Sequence, residues 1–119
     1  MNNRFVSPFE NDAFALVYMA FKNKYPHKDC ECFIGGVTGR KHYGETVFED
    51  NGRATVYIKE TLKLRDAVEV LAHELAHVAV GETEETHSKE WEDAFEAIHE
   101  EYERIAGELF KEEDGWEAY

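Results

Sequence analysis

The chain has 119 residues, 43% hydrophobic and 13% aromatic, which suits one domain spanning residues 1–119 and argues against intrinsic disorder. Its charge is lopsided: residues 81–119 carry thirteen Glu and two Asp against two Lys and one Arg, a net of −12 out of −13 for the whole chain. That balance excludes the basic footprint of an autonomous nucleic-acid binder, and the longest weakly polar stretch, Ala13 to Phe21, is too short to cross a bilayer.

Residues 1–8 hold no apolar signal core, so a cytoplasmic domain with no membrane partner is expected. Ser7 is a suitable N-cap before Pro8. Phe9, Ala13, Val17, Ala20 and Phe21 then recur at helical spacing, which predicts a helix over residues 8–24 ended by Tyr25-Pro26. Cys30 and Cys32 are too few and too close for a secreted disulfide framework. With His27 nearby they offer three ligands at poor spacing for a second metal site, and buried reduced thiols are the preferred reading.

The period then changes. Thr46-Val47-Phe48 and Ala54-Thr55-Val56-Tyr57-Ile58 flank Asp50-Asn51-Gly52-Arg53, and Asn-Gly between β-rich runs is a strong hairpin signal. A two-residue loop sets Asp50 opposite Arg53 and Val47 opposite Val56. A small antiparallel sheet over roughly residues 31–59 is expected. Next comes a helix over residues 64–80, closed by Gly81. A last helix begins near Thr86 or Ser88 and bears a core-facing stripe of Trp91, Phe95, Ile98, Tyr102, Ile105 and Leu109. The acidic residues around that stripe read as a solvated helix face.

Chemistry concentrates in Val70-Leu71-Ala72-His73-Glu74-Leu75-Ala76-His77-Val78. Residues four apart on a helix lie one above the other, so His73 and His77 can reach one metal ion. Glu74 points to the flank, where it can hold an activated water instead of the metal. At about 100° per residue from His73, His77 lies near 40° and Glu74 near 100°. Leu64, Leu71, Leu75 and Val78 fall roughly between 140° and 200° on the same wheel. The histidines therefore line a cleft, not the core. A chain of this composition is expected to show the motif by chance roughly 0.05 times.

A catalytic zinc wants three protein ligands and an open position. His87 stands at the edge of the last helix, and Gly81 lets the chain reverse so that His87 returns over His73 and His77. His87 is the preferred third ligand, with Glu82, Glu84 and Glu85 as alternatives.

His73-Glu74-Leu75-Ala76-His77 followed by Thr86-His87-Ser88-Lys89-Glu90-Trp91 resembles the SprT-like zinc metallopeptidases of the zincin superfamily, over roughly residues 53–98. The resemblance implies an α+β, zincin-like fold: an N-terminal helix, a small antiparallel sheet, the motif helix and a long C-terminal helix. It implies one zinc ion held by His73, His77 and His87, with Glu74 as general base and Trp91 packed beneath the site. The implied activity is hydrolysis of a polypeptide substrate lying along a sheet edge, with the strand at Ala54 to Ile58 just before the motif helix. The alternative is a zinc-binding peptide-recognition or regulatory module without activity, its metal closed by a fourth ligand such as Glu84 or Glu85. His42, between Lys41 and Tyr43, reads as a solvated loop histidine, with oxyanion stabilisation or substrate contact as the alternative.

Overall fold

A computed structural model describes residues 13–39, 41–50, 53–82 and 87–112. The elements run α1 (Ala13–Lys24), β1 (Glu31–Ile34), β2 (Gly44–Phe48), β3 (Ala54–Ile58), α2 (Leu64–Val80) and α3 (Lys89–Glu112). Together they make a small α+β fold of three helices and one three-stranded sheet. The expected caps of the first helix, Ser7 and Pro8, lie outside the described residues. Among the described residues no helix is long and apolar enough to cross a membrane.

The sheet corrects the expectation of an antiparallel one. Its order is β1-β3-β2: β2 pairs antiparallel with β3, but β1 runs parallel to β3. Burial explains which strand takes the middle. Ala54, Thr55, Val56 and Ile58 are all buried and Tyr57 is half-buried, so β3 gains from neighbours on both sides. Three of the four residues of β1 are exposed, as suits an edge. Residues 35–43 are too many for a tight turn and carry the chain past β3. The Gly35 N–H still bonds the Ile58 carbonyl at 2.7 Å, while the Lys59 N–H bonds the Tyr43 carbonyl at 2.9 Å, so β3 is flanked on both sides at that end.

The hairpin register is also one residue from the expectation. Val47 faces Thr55, Thr46 faces Val56, and the Glu49 N–H bonds the Arg53 carbonyl at 2.8 Å. A one-residue slip turns a strand over. The observed register sets Gly44, Thr46 and Phe48 on the helix side, beside Ile58, Val56 and Ala54, and leaves Val47 exposed. Gly44 requires this: a Cβ there would lie 2.6 Å from Val70 Cγ1, so β2 meets α2 at a position that tolerates no side chain.

The helices cover one face of the sheet. Val17 and Phe21 of α1, Leu71 and Leu75 of α2, Ile98 of α3, and Cys32 and Val56 of the sheet are fully buried together. Leu71, Leu75 and Val78 follow the expected stripe, whereas Leu64 is 60% exposed because it opens the first turn of α2, at the end of the core. Gly81 ends α2 at φ 93°, and its N–H closes on the His77 carbonyl at 2.9 Å. Cys30 and Cys32 are buried and not joined in a disulfide, with their sulfurs 3.9 Å apart. Trp91, Phe95 and Tyr102 pack against the core as the stripe predicts, and Ala94 and Ile98 are its most buried points; the side chain of Leu109 lies outside the described residues.

One polar contact ties α1 to α3. The Asn23 amide donates to Glu101 Oε2 at 2.9 Å, and Arg104 grips the same carboxylate through Nε at 3.0 Å and Nη2 at 2.7 Å. These bonds, Arg104's first and then Asn23's, hold the Glu101 pKa down at about 2 against an ordinary 4.5. A carboxylate depressed in the folded state stabilises above its unfolded value and loses that contribution as pH falls from about 4.5 towards 2. Urea unfolding midpoints of the wild type should therefore drop more steeply across that window than those of Glu101→Gln. Metal binding at pH 7 should be the same in both.

Candidate metal centre

Two elements bring three imidazoles together. The i, i+4 spacing on α2 stacks His73 and His77, ring centroids 5.4 Å apart. His87 arrives from the chain reversal after Gly81, with its centroid 4.9 Å from His73 and 5.3 Å from His77. The Nε2 atoms of His73 and His87 are 3.1 Å apart, and one ring nitrogen from each of the three lies within 4.8 Å of the others. The cluster is close enough to hold a metal ion.

The position of His87 depends on how α3 starts. Ser88 Oγ accepts the Trp91 N–H at 3.2 Å, an N-cap bond to the third residue of the helix. Between the two sequence candidates Ser88 is the described cap, and Thr86 lies outside the described residues. The cap fixes His87 one residue before Ser88 and swings Trp91 under the cluster. The indole lies 4.6 Å from His73, 5.5 Å from His77 and 4.3 Å from His87 by centroid, and its Nε1–H donates to the His73 carbonyl at 3.2 Å. Phe95 stacks beneath Trp91 at 5.4 Å, completing an aromatic floor.

That floor shapes the electrostatics. Burial pushes the His77 pKa down to about 4, with His73 and His87 adding to the shift, and lowers His73 for the same leading reason. Both imidazoles are held neutral at pH 7, the state in which a ring nitrogen offers its lone pair. A metal ion bound there would supply the positive charge that burial disfavours on these two rings.

Glu74 sits on the other flank, in the same cleft. The cleft measures 560 Å³ and runs between β2 and the histidines, lined by His42, Gly44, Glu45, Thr46, His73, Glu74, His77 and His87 among others. Glu74 is only 8% exposed. The Thr46 hydroxyl donates to its Oε1 at 2.6 Å, and Gly44 lies against Oε2. Burial raises its pKa, an effect that the Thr46 bond opposes. The carboxylate is thus fixed at one oxygen, poised as a proton acceptor.

All four residues expected from the motif share this cleft. Glu82 lines it without joining the cluster, and Glu84 and Glu85 lie outside the described residues. The Cys30–Cys32 pair forms no metal-ligand group with His27 among the described residues. Thr46 and Gly44 were not foreseen. They stand 28 and 30 positions before Glu74, and no local pattern signals a contact across that separation. Comparison of the chain with protein-family models, curated proteins and solved structures gives no match, so the reading of the site rests on its geometry.

His87 adds the third imidazole to the pair on α2, making a three-point cluster. His87→Ala should lose stoichiometric binding of Zn(II) and Co(II) in titrations against a competing chelator at pH 7. Acidification should release metal from the wild type, since protons compete for the same nitrogens.

Proposed function

We propose that the protein is a zinc-dependent peptidase of the SprT-like, zincin kind. The observation that carries this reading is the convergence of three imidazoles and a buried, hydrogen-bonded carboxylate on one open cleft beside a sheet edge. The donor set suits zinc. Ligand nitrogens at about 2.0–2.1 Å in tetrahedral array stand about 3.3 Å apart, near the 3.1 Å between His73 and His87. Bound there, zinc would acidify a water molecule and polarise a carbonyl.

The chain's own residues supply the rest. Glu74, held at Oε1 by Thr46, receives the water's proton as the oxygen attacks the peptide carbonyl and later delivers it to the departing amine nitrogen. Trp91 holds the histidine backbone from below. The substrate lies along β2. The expected strand, Ala54–Ile58, is the central one with both sides paired, whereas Gly44–Phe48 is an edge that lines the cleft. Among the described residues no strand pairs with its outer side, so an extended peptide can add there through backbone bonds.

Glu74→Gln separates this activity from passive metal binding. The variant should keep its zinc, since Glu74 is outside the cluster, and lose cleavage of an unfolded protein by about 10²- to 10⁴-fold. Zinc-loaded wild type that cleaves no unfolded substrate would instead favour a metal-binding recognition module.

A further inference from the structure

The peptidase reading leaves one role unfilled: the donor that meets the carbonyl oxygen as it becomes negative. Among the described residues lining the cleft, five side chains carry a hydrogen-bond donor: His42, Thr46, His73, His77 and His87. Three are the metal cluster. The Thr46 hydroxyl is committed to Glu74. His42 remains.

The loop holds His42 in place. Its N–H bonds the Gly39 carbonyl at 3.1 Å, and its ring packs on Gly39, where a Cβ would collide with the imidazole. Nδ1 lies 3.8 Å from Glu45 Oε2. Glu45 is itself pinned, accepting the Thr38 N–H at 2.8 Å and the Thr38 hydroxyl at 3.1 Å. With Nδ1–H facing Glu45, Nε2 carries a second N–H when the ring is protonated, and that donor is left for a ligand. The side chain is 61% exposed. It stands close enough to Glu74 for the two to interact electrostatically.

We infer that His42 is a catalytic residue that donates from Nε2 to the scissile carbonyl oxygen, a role that rests on the peptidase reading. As the water oxygen forms its bond to carbon, the carbonyl π pair moves onto oxygen and the water's proton passes to Glu74. His42 binds that negative oxygen. When the carbonyl re-forms, the C–N bond breaks, its electron pair stays on nitrogen, and nitrogen takes the proton from Glu74. His42 gains and loses nothing.

The test uses zinc-loaded full-length chain with two readouts: steady-state cleavage of an unfolded protein, and calorimetric binding of a phosphinic peptide, whose tetrahedral anion mimics the charged state without turnover. His42→Ala should keep one zinc per chain and lower kcat by about 10²- to 10³-fold with KM nearly unchanged. Phosphinic peptide binding should weaken by a comparable factor, and His42→Gln, which keeps an N–H donor, should recover part of both losses. Unchanged kcat and binding in His42→Ala would overturn the assignment and leave the peptidase reading standing, as would a raised KM alone or a loss of zinc. If His42→Ala does not fold, His42→Leu, which keeps bulk but has no donor, takes its place: the same losses support the donor, and unchanged kcat and binding overturn it. A wild type that holds zinc yet neither cleaves nor binds the phosphinic peptide would bring down the peptidase reading, and this role with it.

Discussion

The site depends on how closely β2 approaches α2. At Gly44 the strand backbone meets Val70 and Glu74 with no room for a side chain, and two residues on the Thr46 hydroxyl reaches the Glu74 carboxylate. This contact does three things together. It fixes the hairpin register, buries a carboxylate that would otherwise point to solvent, and sets an edge strand along the wall of the histidine cleft. A Cβ at Gly44 would push strand and helix apart and loosen all three.

A second constraint works from below. Helix α2 serves two masters: Leu71 and Leu75 bury into the core on one face while His73 and His77 stay half-exposed on the other. The helix α3 completes the site because Ser88 caps it one residue after His87, and its first turn lays Trp91 under the imidazoles. Burial lowers the pKa values of His73 and His77 while leaving both half-exposed, within a ligand's reach. The same long helix is tied to α1 through Glu101, which carries the rigidity of the helical layer far from the cleft.

Much of this was legible in the residues. The two ends of α2, the glycine that stops it, the core-facing stripe of α3 and the separation of histidines from leucines all follow from helical periodicity and capping, which are local rules. His87 was named from its place after the reversal at Gly81, and the three rings do converge. The sheet was legible only in part. Strand positions show in β-rich runs, but a parallel partner for β3 leaves no mark in the sequence of β1, and the Asn-Gly signal does not settle the register of the strands on either side of it.

The amino-acid sequence by itself determined the helices and the pairing of His73 with His77 on one face, because residues three and four apart are neighbours whatever the rest of the chain does. It also determined that the last third is strongly acidic. Only the tertiary structure decided that β3 takes the centre of the sheet, that β2 is the edge at the cleft, that Thr46 holds Glu74, and that His42 stands in the same cleft as the imidazoles. Each of these joins residues tens of positions apart. Such contacts form when whole faces compete to be buried, and no window along the chain contains that competition.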